Sequence, residues 1–216
     1  MICSRKYRIM ILSGANMILT NSDLATKYQN YSNINTKITR EVNAGRLIRL
    51  AQGLFETDVN TSGKYLAGRI YGPSYLSFEY ALATHGLIPE AVQKTYTSAT
   101  FKKRKNKIYK NNFGIFTYRD VPAAVFQYEV LLLEEDGHSY QIATPEKALC
   151  DKLYTLPPCK NLTELSTLLF EDLRIDEQEF SQLNFETVRQ LAPLYRSTNL
   201  NFLVKYIRRI HSCKPF

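Results

Sequence analysis

Tryptophan is absent from this chain of 216 residues, and histidine occurs three times. Cysteine is scarce too. Cys3, Cys150, Cys159 and Cys213 lie far apart, with no C-x-x-C pair. That spacing argues against a zinc ribbon or a disulfide framework and reads as buried free thiols in a reducing cytosol. Long apolar runs are missing. The longest purely aliphatic or methionine stretches, Ile9–Leu12 and Val130–Leu133, are four residues each, where a membrane span needs about 20. Arg5, Lys6 and Arg8 precede the first of them, but a signal peptide needs an apolar region of about 7 to 15 residues. The expectation is a cytoplasmic protein with no membrane partner.

Catalytic spacings are equally sparse. The histidines His85, His138 and His211 are isolated, with no H-x-x-x-H for a metal. No Asp-x-Lys or Glu-x-Lys occurs, as a restriction-type nuclease would carry, and no Asp-x-Asp, as a nucleotidyltransferase would. There is no G-x-S-x-G elbow and no G-x-x-x-x-G-K-[ST] phosphate loop. Glu146, Lys147 and Asp151 are close in sequence, but Lys147 and Asp151 stand at i, i+4 and can pair with each other. We therefore expect no catalytic residues, no metal and no cofactor.

What the chain does hold is an ordinary 44% of apolar residues, including 15 Tyr and 11 Phe, enough for a core without staples. Its net charge is +8. Residues 1–60 carry 8 basic and 4 acidic side chains and residues 61–120 carry 10 and 3, whereas residues 121–160 carry 3 and 6 and residues 161–216 carry 7 and 7. The whole excess lies in the first 120 residues, so a polyanionic partner should meet that half.

The N-terminal pattern is helix, helix, helix, hairpin. Ser4 to Leu12 reads as a short helix closed by Gly14, and Met17–Thr20 as an extended piece. Thr20 or Asn21 caps a second helix with Leu24, Ala25 and Tyr28 on one face. Ser32 or Asn33 caps a third helix running to about Ala44, whose Ile34, Ile38 and Val42 form one narrow apolar stripe. Its other face carries Asn35, Thr36, Lys37, Thr39, Arg40 and Asn43, side chains suited to base edges and phosphates. Arg46 to Thr57 then reads as a hairpin, with Arg46, Arg49 and Gln52 on it and Gly53 in its turn. This is the order of a winged helix-turn-helix, which sets its third helix in the major groove. A solvated helix on a small domain would show the same polar face. The candidate DNA-binding residues are Asn33, Asn35, Thr36, Lys37, Thr39, Arg40, Asn43, Arg46, Arg49 and Gln52. If Lys37, Arg40, Arg46 and Arg49 meet four phosphates, the slope of log K against log salt is about −4.

Three segments resemble the AbiEi-type abortive-infection antitoxins. Leu19-Thr20-Asn21-Ser22-Asp23-Leu24, followed by Val42-Asn43-Ala44-Gly45-Arg46-Leu47-Ile48-Arg49-Leu50 and Gly53-Leu54-Phe55, is similar to that family's N-terminal pattern. Tyr75-Leu76-Ser77-Phe78-Glu79-Tyr80-Ala81-Leu82 with His85-Gly86-Leu87-Ile88-Pro89, and Ala143-Thr144-Pro145-Glu146-Lys147-Ala148-Leu149-Cys150-Asp151-Lys152-Leu153, are similar to two later segments. Coverage is roughly residues 15 to 155. The family's wing often has a basic residue before its glycine, and Gln52 departs from that. The resemblance implies an autorepressor of its own promoter, binding double-stranded DNA at inverted repeats. It also implies the antitoxin of a type IV system in phage defence, countering a nucleotidyltransferase-like toxin without a stable complex.

Residues 59–67 read as a polar linker, between a winged helix-turn-helix domain at 1–58 and an α+β antitoxin domain at 68–216 with a helical C-terminal tail. The second domain is expected to hold a helix at 75–85, strands near 91–100 and 113–119, and a hairpin of 126–134 with 139–143. Thr144 caps a following helix, and others are expected at about 161–172, 176–182, 184–194 and 198–212. The densest charge is Lys102, Lys103, Arg104, Lys105 and Lys107, followed by Lys110. These are either phosphate contacts for a nucleic acid or a solvated connection whose lysines protect a sheet edge. Alternative functions are a nucleic-acid-modifying enzyme that reverses toxin action, using that basic stretch to hold substrate, and a module that docks on the toxin.

Overall fold

The computed structural model describes residues 18–89 and 93–212, with side chains to residue 210. The expected helix at Ser4–Leu12, Cys3, Cys213 and the side chain of His211 lie outside the described residues. The chain divides into two compact units at the Thr61–Ser62 bond, within the expected linker. The protein is a mixed α+β molecule with two sheets.

In the first unit, β1 (Leu19–Thr20) leads directly into α1 (Asn21–Lys27). Thr20 is the N-cap, and its backbone N–H donates to the Asp23 carboxylate at 2.8 Å, completing a capping box. After a turn, α2 (Ile34–Asn43) starts at Asn33, whose side chain accepts from the Thr36 N–H at 3.0 Å. β2 (Ile48–Ala51) and β3 (Leu54–Glu56) follow as a hairpin with Gln52-Gly53 at its tip. β3 is the middle strand, pairing antiparallel with β1 on one side and β2 on the other. Gly53 has φ +74°, and a Cβ there would stand 2.9 Å from the Asn21 side chain, so the tip takes no larger residue without movement. Leu19, Leu24, Tyr28, Ile38, Leu47 and Phe55 form the core, with Ile34 and Val42 packed against it. The apolar stripe read from α2 is its core face.

The second unit opens with α3 (Gly63–Ile70), where the sequence reading has the second half of a linker. Leu66, Ala67 and Ile70, at i, i+1 and i+4, are buried. The stripe is short, and the polar residues around it mask its period. β4 (Tyr75–Leu76) then joins α4 (Phe78–Thr84) through Ser77. The expected helix at 75–85 is thus a strand plus a shorter helix. Phe78, fully buried, is held at φ +54°, a left-handed conformation that costs a non-glycine residue and survives only where packing fixes it.

The remaining strands are β5 (Thr95–Thr100), β6 (Lys107–Asn111), β7 (Gly114–Asp120), β8 (Val130–Glu135) and β9 (His138–Ala143). They form one mixed sheet with β4, in the order β6-β7-β5-β4-β9-β8. β5 runs parallel to β7 and β4 parallel to β9, and the β6–β7 and β8–β9 pairs are antiparallel hairpins. α5 (Pro145–Tyr154) is capped by Thr144 and packs against α4 and two later helices. Then come α6 (Leu162–Thr167), which runs into a π-helical turn at Leu168–Asp172, and α7 (Glu177–Gln182), α8 (Phe185–Tyr195) and α9 (Thr198–Ser212). The buried side chain of Asn199 on α9 donates to the carbonyls of Leu153 and Pro157 at 3.0 Å each and accepts from the Cys159 N–H at 2.8 Å. It ties α9 to the end of α5.

Candidate nucleic-acid interface

The exposed side of α2 carries Asn35, Thr36, Thr39, Arg40 and Asn43. At 100° per residue these five fall within an arc of about 140°, opposite Ile34 and Ile38. Asn35, Thr36 and Arg40 are the least committed of them. Thr39 turns its hydroxyl proton back onto the Asn35 carbonyl at 2.9 Å, so only its lone pairs face outward. Asn33 spends its side-chain oxygen on the cap, which leaves its amide N–H groups to face outward.

Glu41 organises the basic residues. Lys37, one turn earlier, lies 2.6 Å from the Glu41 carboxylate, and Arg46, just past the helix end, binds the same carboxylate with two N–H groups at 2.6 and 3.0 Å. The Arg46 hydrogen bonds, and then those of Lys37, pull the Glu41 carboxyl down to about 2. Lys37 also lies 4.8 Å from the centre of the Tyr31 ring. Of the four cations expected on phosphates, two therefore share one acid, whose single negative charge leaves the group of three at +1. Arg40 is exposed on the polar face, and no ion pair of its own is present among the described residues. Arg49, on β2, lies 5.0 Å over the Phe55 ring with its charge exposed. Gln52 is exposed at the hairpin tip. The Lys37–Glu41 spacing was readable as an i, i+4 pair. The Arg46 clamp was not, because it depends on how the chain turns at Gly45.

The basic stretch of the second unit is divided in its use. Lys103 donates to the Gly72 carbonyl at 3.1 Å and sits 5.1 Å over the Tyr71 ring. The Arg104 backbone N–H donates to Asp120 at 2.5 Å. Lys102 stands 5.9 Å from the Phe101 ring. Lys105 and Lys107 are exposed, and Lys107 opens β6 instead of lying in a loop. β6 is an edge of the six-stranded sheet, so Lys107 and Lys110 stand where lysines discourage pairing with another strand. Of Lys102, Lys103, Arg104, Lys105 and Lys107, Lys103 is the one whose charged group is hydrogen-bonded among the described residues.

Three carboxylates of the second unit are likewise occupied. Asp151 and Lys147 are fully buried and 3.2 Å apart. Tyr75, Ser77 and Tyr195 donate to Asp151 at 2.9, 2.7 and 2.6 Å, and Lys147 donates to the Val125 carbonyl and Tyr195 hydroxyl at 2.9 and 2.8 Å. Burial pushes the Lys147 ammonium down, against the pull of Asp151. Neither side chain has exposed surface, and the network joins α5 to β4 and α8. Glu146 accepts from the Asn184 N–H at 2.8 Å, at the start of α8. Glu79 takes Lys152 at 2.6 Å and Arg119 at 3.1 Å, beside a cleft of about 800 Å³. Burial raises its carboxyl, but the two cations outweigh this and hold it below the usual range.

No described helix is long and apolar enough to cross a membrane. No protein-family model matches the chain, and no curated protein matches it.

Proposed function

We propose that this protein is a DNA-binding regulator whose first unit is a winged helix-turn-helix, and that it serves as the antitoxin of a type IV system. One observation carries the DNA-binding part: α2 has its isoleucine edge in the core and its Asn35, Thr36, Arg40 and Asn43 side open to solvent. A helix in that state meets the steric requirement for reading base edges in a major groove. Arg49 and Gln52 on the hairpin would lie along the backbone. The antitoxin part rests on the resemblance of the three segments, and it assigns no catalysis to the chain.

The test is binding of the full chain to its own promoter and to random duplex across a range of salt. Specific binding that weakens as Arg40 and Arg49 are replaced by alanine supports the reading. Equal affinity for both duplexes overturns it. Rescue is tested separately by co-expressing the Arg40→Ala, Arg49→Ala double variant with the neighbouring toxin. We expect growth to be restored without repression, because the second unit is proposed to carry rescue. Recovery of the two proteins as one complex in high salt contradicts the type IV arrangement.

A further inference from the structure

A cleft of about 300 Å³ opens between α3 and β9, lined in part by Lys64, Tyr65, Gly68, Arg69, Ser74 and Tyr140. Its volume is at the lower end of the roughly 300 to 1,000 Å³ of small-molecule sites. Three features set it apart from a packing defect. Ser74 is only 5% exposed, yet its hydroxyl has no hydrogen-bond partner, and such a group needs an explanation. Gly68 leaves the α3 side bare: a Cβ there would meet only the Ser74 carbonyl oxygen, at 3.9 Å. No carboxylate lines the cleft, although two cations do.

The cations and rings are arranged in pairs. The Arg69 guanidinium lies 5.2 Å over the Tyr65 ring, and Tyr65 stacks on His138 at 4.5 Å. The Lys64 ammonium lies 5.5 Å from the Tyr140 ring and is bound to Glu135, outside the lining, at 2.6 and 2.9 Å. Arg69 is exposed and makes no ion pair among the described residues. The cleft thus offers an unspent guanidinium for an anion, the Tyr140 ring for a flat apolar surface, and a buried hydroxyl for a polar edge. A phosphate joined to a planar heterocycle uses all three.

We propose that this cleft binds one nucleoside phosphate, with the phosphate on Arg69, the base against Tyr140, and the Ser74 hydroxyl bonded to a polar group of the ligand. The unit comes either from a free nucleotide or from an unpaired nucleotide of a single strand. This site is independent of duplex binding by α2.

The test is calorimetric titration of the full chain with the four ribonucleoside 5′-monophosphates and, in parallel, with a short oligouridine strand. Saturable binding with Kd below about 1 mM is expected from at least one of them. A free nucleotide binding as tightly as the strand identifies the small-molecule source, and a much tighter strand identifies the nucleic acid. Gly68→Met fills the cleft while replacing a helix glycine with a better helix former, so the variant should melt no lower than the parent and lose binding. Ser74→Ala removes a hydroxyl that has no partner, so it should fold as well as the parent and bind on the order of ten-fold more weakly. Neither variant should change binding to promoter duplex. Absence of saturable binding by every probe, or binding that Gly68→Met leaves unchanged, overturns the proposal.

Discussion

Arg46 grips Glu41 with two N–H groups, Nε to Oε2 at 2.6 Å and Nη2 to Oε1 at 3.0 Å, across the end of α2. This bidentate pair sets how much positive charge the proposed DNA face presents. With Lys37 sharing the same acid, Arg40 and Arg49 are the free phosphate contacts of the four cations. With the one net charge left on the Lys37–Glu41–Arg46 group, the slope of log K against log salt should be about −3. Glu41→Gln releases Lys37 and Arg46 and should steepen it to about −4, with a gain in affinity for random duplex. An unchanged slope in this variant removes the electrostatic account of the face.

The same carboxylate makes stability depend on pH. Its folded value, about 2, lies below the ordinary 4.5 because Arg46 and Lys37 bond its charged form. The folded state therefore holds that proton less tightly than the unfolded chain. The stabilisation is complete above pH 4.5 and is lost as pH falls toward 2. Thermal unfolding of the parent and of Glu41→Gln across this range should converge at the acid end. Parallel pH profiles would contradict the linkage.

Asn35 and Thr36 should report sequence and Arg40 should report charge. Asn35→Ala or Thr36→Ala is expected to lower preference for the promoter over random duplex, by about 1–3 kcal/mol for a side chain that reads a base directly. Arg40→Ala should weaken both duplexes alike and make the slope about 1 unit shallower. Competition binding at two salt concentrations separates these outcomes.

Asn33 should behave as a cap. Its side chain accepts from the Thr36 N–H at 3.0 Å, so Asn33→Ala is expected to cost about 1 kcal/mol of stability. Asn33→Asp or Asn33→Ser should restore most of it. Urea unfolding of the three variants provides the comparison. A loss of promoter preference with unchanged stability would keep Asn33 in the base-reading set.

The buried pair of the second unit should be structural. Asp151→Ala leaves the Lys147 ammonium without its counter-charge and is expected to cost about 3–5 kcal/mol. Replacing both with apolar residues, as in Lys147→Met with Asp151→Leu, should recover part of that loss. Full stability in Asp151→Ala would show that the network contributes little.

Much of the local structure was legible because it depends on near neighbours. The Thr20, Asn33 and Thr144 caps, the apolar stripe of α2, the Gly53 turn and the hairpin at Glu135–His138 each need only a few consecutive residues. The Lys147–Asp151 pair was legible from one helical turn. Where a stripe was short, as in α3, polar neighbours hid it. Where a strand was two residues long, as in β4, its apolar residues read as the start of the next helix.

The amino-acid order by itself determined where α1, α2 and α5 begin, which side of α2 is dry, and that the positive charge sits in the first 120 residues. Only the tertiary structure decided which of those charges are free. Arg46 is drawn to Glu41 by the path of the chain after α2, and Lys103 to the Gly72 carbonyl by a contact 31 residues distant. It also brought Gly68 and Ser74 together with Tyr140 around one cleft, with the Ser74 hydroxyl buried and without a partner. Caps and stripes follow from bond geometry over one turn, whereas the pairing of a charge or a hydroxyl is settled by whichever distant group folding carries to within 3 Å of it.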